Sequence, residues 1–227
     1  MAGRLQLIPT PIGNLGDLSE RAVAALRDAD LVACEDTRHT GRLLAHHGIK
    51  ATLLSVHEHN ERRRIPQLLE KLQDGETIAL VSDAGTPLVS DPGFALTRAV
   101  LAEEIEIEAL PGPSAVLTAL LVSGLEPQPF TFVGFPPPKT GKRQRFYRSY
   151  AELGHTLIAF ESPHRIAASV TDARDVFGAD RRAVVARELT KMHEEVLRGS
   201  LDELAQELAG RERQRGEFVL LVARPDD

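Results

Sequence analysis

Between residue 4 and about residue 124, short apolar runs alternate with amphipathic stretches, and no other feature of the chain constrains its fold as tightly. Leu5–Ile8, Leu31–Cys34, Thr52–Leu54, Thr77–Val81 and Ile105–Leu110 have the length and character of buried strands. Helical patterns separate them. One runs from Ser19 through Ala22, Val23 and Leu26; another places Ile65, Leu68, Leu69 and Leu72 on one face and stops at Gly75. A further stretch carries Phe94, Leu96, Ala99 and Val100, and the last runs from Ser114 through Leu117 and Leu121 to Gly124. Alternation of this kind requires crossover connections, and therefore a mostly parallel sheet.

Gly124-Leu-Glu-Pro-Gln-Pro129 breaks the rhythm with two prolines in three residues. It predicts a linker at 125–129 between an N-terminal α/β domain, residues 1–124, and a C-terminal α/β domain, residues 130–227. In the second, Phe130–Gly134, Thr156–Phe160, Ala183–Ala186 and Phe218–Ala223 read as strands. Ser162-Pro163 reads as an N-cap followed by a first-turn proline, and Ser200 with Glu203 forms a capping box.

The segment VSDAGTPLVSDPG, Val81 to Gly93, leaves the fourth predicted strand and precedes a helix. That is the lip of the sheet where open α/β folds bind ligands. Its glycines permit tight turns, its prolines stiffen the loop, and its hydroxyls and carboxylates can face a ligand. The turns Pro9–Asn14 and Leu110–Ala115 are built alike and leave the first and fifth strands. In a parallel sheet all three converge on one edge, where they can hold a zwitterionic or nucleoside ligand. Familiar nucleotide motifs fail: the first turn reads PTPIGNLGDLS instead of G-x-G-x-x-G, and a phosphate loop would need glycine at Pro136 and a hydroxyl at Arg143. No G-x-S-x-G nucleophile elbow is present.

Cys34 is the one cysteine, which leaves no disulfide framework and no thiolate cluster. His57-Glu-His59 has no third ligand at usable spacing, so no metal site is expected. No eighteen apolar residues run together, and the N-terminal stretch lacks the apolar core of a signal peptide, so a cytoplasmic protein is expected. The net charge of −6 argues against bulk electrostatic binding of nucleic acid. Yet KTGKRQRFYR, residues 139–148, holds five basic residues, no acidic one, and the aromatics Phe146 and Tyr147. One such segment on an acidic body points to contact with a polyanion. Charged groups also follow strands at Cys34-Glu-Asp-Thr-Arg38, Phe160-Glu-Ser-Pro-His-Arg165 and Arg187-Glu-Leu-Thr-Lys191; each can serve as an acid–base group or as a plain ion pair.

TPIGNLGDLS at 10–19, CEDTR at 34–38, VSDAGTPLVSDPG at 81–93, LPGPSA at 110–115, FVGFPP at 132–137, FESPHR at 160–165 and RELTKMHEE at 187–195 together resemble the tetrapyrrole methylase family, nearly end to end and in the same order. The branch they resemble methylates the ribose 2′-hydroxyl of a cytidine in the decoding region of small-subunit ribosomal RNA. The resemblance implies a class III methyltransferase: two α/β domains with a cofactor cleft between them, S-adenosyl-L-methionine as cofactor, and a homodimer acting on the 30S subunit. It puts the methionine end of the cofactor near Pro11, Asp83, Ala84, Gly85 and Thr86, with Ser114 and Ala115 beside it, and the adenosine near Phe160, Ala186 and Phe218. Transfer to a hydroxyl calls for a general base, for which Glu35, Asp36, Glu161 and Glu188 are the candidates. Arg38, Arg63, Lys142, Arg143, Arg145 and Lys191 are expected on phosphates, and Phe146 or Tyr147 on an unpaired base. Two alternatives stay open: the same fold acting on a tetrapyrrole or other small acid, and a non-catalytic RNA-binding protein.

Overall fold

The computed structural model describes residues 3–225. By its internal contacts the chain divides after Ser114. The first unit holds strands β1 (Arg4–Leu7), β2 (Leu31–Cys34), β3 (Leu53–Ser55), β4 (Thr77–Leu80) and β5 (Glu106–Ala109). They form one sheet in the order β3-β2-β4-β1-β5, and every pairing is parallel. Helices α1 (Glu20–Asp28), α2 (Thr37–His46), α3 (Glu61–Gln73) and α4 (Phe94–Ala102) supply the crossovers.

The period of two along each strand explains why the sheet is covered on both faces. Val32 and Cys34 enter one core with Ile8, Leu26, Leu43 and Ala79, so α1 and α2 lie there. Leu31 and Ala33 enter the other with Leu5, Leu68, Ile78 and Leu96, so α3 and α4 lie there. Ser19 caps α1 by accepting the Ala22 amide at 3.1 Å. Helix α4 has no cap from its own Gly93; Glu61 of α3 accepts the Leu96 amide at 2.9 Å instead.

The second unit contains α5 (Ala115–Ser123), β6 (Phe130–Phe132), α6 (Thr140–Arg148), β7 (Thr156–Glu161), α7 (Ile166–Phe177), β8 (Arg182–Arg187), β9 (Glu195–Ser200), α8 (Leu201–Ala209) and β10 (Phe218–Val222). Its sheet runs β6-β7-β10-β8-β9; β6 and β7 are parallel, the remaining pairs antiparallel. Tyr147, Ile166, Val170, Leu204, Phe218 and Leu220 form its core.

Two expectations need correction. The helix expected to close the first domain belongs to the second unit: α5 buries Val116, Ala119 and Leu120 and packs on β8, β9 and β10, and Arg198 of β9 donates its Nε to the Ser123 carbonyl at 3.2 Å. The boundary therefore falls ten residues before Gly124. The hydroxyl of Ser162 does not cap α7, which begins at Ile166. The Glu161 carboxylate takes the Ser162 amide at 2.8 Å and Arg165 Nε at 2.9 Å, and this turn delays the helix. The basic segment, to which the sequence reading assigns no element, is a regular helix, α6. The capping box of α8 forms as expected, with Ser200 and Glu203 bonded reciprocally. Among the described residues no helix is long and apolar enough to cross a membrane.

Candidate functional site

The three exit loops of the first sheet are stitched together by their own polar groups. Thr10 and Gly85 exchange backbone hydrogen bonds of 2.9 and 3.0 Å, and Thr10 Oγ1 donates to the Ser82 carbonyl at 3.1 Å. Thr86 Oγ1 donates to the Pro113 carbonyl at 3.0 Å, tying in the third loop. Two glycines make the approach possible. Gly85 has φ +83°, the left-handed region, and at Gly112 a Cβ would lie 2.6 Å from Pro9 Cβ.

Beside this junction lies a cavity of about 170 Å³. Thr10, Pro11 and Leu15 line it from the loop after β1, and Asp83 from the loop after β4. His39, Arg42 and Leu43 complete it from α2. The sequence points to Pro11 and Asp83 but not to the three α2 residues. Their signal is the helical spacing of 39, 42 and 43 after the N-cap Asp36.

Four carboxylates gather at this edge of the sheet. Asp83 Oδ1 accepts the Asp36 amide at 3.2 Å. Asp36 caps α2: Oδ1 accepts the Arg38 amide at 2.8 Å and Arg38 Nε at 3.2 Å, and Oδ2 takes Nη2 at 3.0 Å. The Arg38 side chain, then its amide, hold the Asp36 carboxyl down at about 2. Glu35 is displaced the other way, raised by burial first and then by the Asp83 charge. Asp91, to which the sequence assigns no role, is pushed up to about 6 by burial first and by the Glu35 charge second.

In the second unit, Phe160 and Ala186 both face Val219 across β10, and Phe218 is the next rung. Ala186 and Phe218 are buried, so only their backbone can meet a ligand. Glu161 is buried, and one oxygen holds the Ser162 amide and Arg165. Glu188 is drawn inward, with burial raising its pKa, but Lys191 and the Glu217 amide outweigh this and leave it below the usual carboxylate range. Lys191 Nζ binds Glu188 at 2.8 Å and Glu217 at 2.9 Å, which ties it to this loop.

Two expected RNA contacts are corrected outright. Arg143 is 1% exposed and donates its Nε to Asp172 at 2.7 Å; Tyr147 is 0% exposed and bonds Ser169 at 2.6 Å. Both face inward because α6 packs on α7. Phe146 packs against the same core, with Tyr150 at 5.1 Å. Arg38 is exposed but spans Asp36; Arg63, Lys142 and Arg145 are exposed on α3 and α6.

A parallel sheet with stitched exit loops, followed by a mixed sheet, defines a class. The chain belongs to the tetrapyrrole (corrin/porphyrin) methylases, whose family model matches residues 4–205. Within that class it is 52% identical to ribosomal RNA small subunit methyltransferase I of Xylella fastidiosa, over 97% of this chain and 81% of that protein. It is 48% identical to the protein of the same name from Vibrio cholerae, over 96% of this chain and 76% of that one. Among solved structures, the methyltransferase CobJ matches with TM-score 0.72 at 20% identity, covering 98% of this chain and 95% of that one. Uroporphyrin-III C-methyltransferase from Thermus thermophilus, complexed with S-adenosylhomocysteine, matches at 0.67 and 18% identity, covering 96% and 97%. At such identity these two share the fold. The chain is a methyltransferase.

Proposed function

We propose that this chain transfers the methyl group of S-adenosyl-L-methionine to the ribose 2′-hydroxyl of a cytidine in the decoding region of small-subunit ribosomal RNA. The observation that carries this is the identity of 52% and 48%, over nearly the whole chain, to proteins named for methylating that RNA. The ribose and the cytidine follow from the branch that the sequence motifs resemble.

The residues present fit such a cofactor. The first unit's cavity offers Asp83 to an ammonium, Arg42 to a carboxylate, and Pro11, Leu15 and Leu43 as an apolar wall. At about 170 Å³ it is smaller than the roughly 300–1,000 Å³ of a pocket for a whole ligand, so it suits the methionine end alone. Ala84, Gly85, Thr86, Ser114 and Ala115 are proposed to support that end through backbone groups, and Phe160, Ala186 and Phe218 to hold the adenosine. S-adenosyl-L-methionine supplies a methyl group made electrophilic by its sulfonium.

The protein's own contribution is orientation and proton removal. In-line placement supplies most of the acceleration, and a carboxylate that takes the hydroxyl proton adds about 10²–10⁴-fold. Glu35 is the base this reading favours. Its pKa is raised by burial, whereas Asp36 is spent on α2 and Arg38, Glu161 on Arg165, and Glu188 on Lys191. We further propose a cytoplasmic homodimer acting on the assembled small subunit, which sedimentation and a comparison with free RNA would check.

The reading is tested with small subunits from cells lacking this protein, incubated with methyl-labelled cofactor. The label is expected in small-subunit RNA at one cytidine, in a linkage that resists alkali because its 2′-oxygen is blocked. Label on a small molecule, or on a base instead of the ribose, would sink it.

A further inference from the structure

We infer that the outward face of α6 is a preformed grip for the phosphate backbone of the RNA substrate, an inference that rests on the ribosomal reading above. The helix has two chemically distinct sides. Inward, Arg143 donates to Asp172 and to the Pro138 carbonyl, Gln144 Nε2 reaches the other Asp172 oxygen at 3.0 Å, and Tyr147 holds Ser169. Outward stand Lys139, Lys142, Arg145 and Arg148, all exposed. Asp172 neutralises Arg143 alone; no ion pair joins these four to an acid among the described residues.

At roughly 100° per residue, Lys142, Arg145 and Arg148 spread over about 120° of the outward side of the helix, and Lys139 stands at its N-cap. From Lys142 to Arg148 the helix rises about 9 Å, enough for this basic face to meet more than one phosphate of a strand. Helix stability does not account for it. Arg145 and Arg148 lie in the last turn, where the helix dipole favours cations. Lys139 and Lys142 lie at the opposite end, where the dipole disfavours them and no acid stands in the first turn. Together with the positive helix end they concentrate potential on a body whose net charge is −6. What meets this face is therefore an extended anion.

The inner contacts fix this face before RNA arrives, which keeps the ordering cost of binding small. The aromatics Phe146 and Tyr147 lie inward, so the face offers nothing to stack on a base. Helix α6 thus positions the RNA without reading it, and selection of the nucleotide falls to other residues.

The test compares Lys142→Gln/Arg145→Gln/Arg148→Gln with a control of equal charge, Arg27→Gln/Lys50→Gln/Arg213→Gln, at exposed positions elsewhere. Binding to small subunits is measured across a salt series, alongside methyl transfer and cofactor affinity. The α6 variant should flatten the slope of log K against log salt by about 2, at roughly 0.7 for each phosphate that is no longer neutralised. Its KM for the subunit should rise at least tenfold, with kcat and cofactor affinity kept. An unchanged slope, or an equal change in the control, overturns the assignment while leaving the ribosomal reading intact. Failure of the unaltered protein to methylate ribosomal RNA overturns both.

Discussion

A carboxylate that caps a helix and chelates an arginine is a weak proton acceptor, while one that burial has pushed upward is a stronger one, and Glu35 and Asp36 divide along this line. Glu35→Gln should lower kcat by about 10²–10⁴-fold with cofactor affinity unchanged. Asp36→Asn, which keeps a capping side chain, should lose far less activity, whereas Asp36→Ala should lower the urea midpoint because α2 is left without its cap. Single-turnover rates, calorimetry and urea unfolding separate the three. Asp91 carries a different consequence. Its carboxyl sits at about 6 in the fold and near 3.8 when unfolded, so the folded state holds more protons between those values. Stability therefore falls as pH rises from about 4 to about 6, and the full penalty is present above 6. Asp91→Asn should remove that slope and gain on the order of 1 kcal/mol at neutral pH, a figure reduced for the solvent screening of a half-exposed group. Urea midpoints of both proteins at pH 4.5 and 7 would check it, and parallel pH dependences would refute it. Burial hides both effects from the sequence. Glu35 is legible as an acid after a strand, but nothing in VSDAGTPLVSDPG tells its second aspartate from its first. His39 and Arg42 escape because α2 has no apolar stripe long enough to announce it.

Arg143 and Asp172 are 2% and 5% exposed in their side chains, and they join α6 to α7. Removing one partner strands a buried charge. Arg143→Met should cost about 3–5 kcal/mol, and adding Asp172→Leu should recover most of that. Urea unfolding of both single variants and of the double variant gives the comparison; a double loss equal to the sum of the two single losses would mean the pair is not coupled. The same helix shows why elements differ in legibility. Strands β2 and β4, covered on both faces, stand out as unbroken apolar runs. Segment 139–148 has so many charges that its inward Arg143 and Tyr147 look like part of a polar loop. Strand β9 escapes altogether, because at the sheet edge its residues are half-exposed and EVLRGS has no alternation to follow. The linker prolines are visible, yet α5 is apolar nearly all round, and the sheet it packs on is decided by tertiary contacts that no local pattern records.

Across the molecule, a net charge of −6 means that attraction for a polyanion has to come from local basic faces such as that of α6. The loops at this edge of the sheet are legible as a group, since three stiff turns at the exits of one parallel sheet must meet. Their hydrogen bonds are not. One of those bonds reaches further than the cavity wall. The Asp36 amide is held by Asp83, while the Asp36 carboxylate starts the helix that carries His39, Arg42 and Leu43. Occupancy and helix fraying are then opposite sides of one equilibrium. A ligand at a hundred times its Kd stabilises the closed form by about 2.7 kcal/mol, so amides in the first turns of α2 should exchange with deuterium up to about a hundredfold more slowly when S-adenosylhomocysteine is bound. The start of α2 becomes a clock that reads cofactor binding without any turnover.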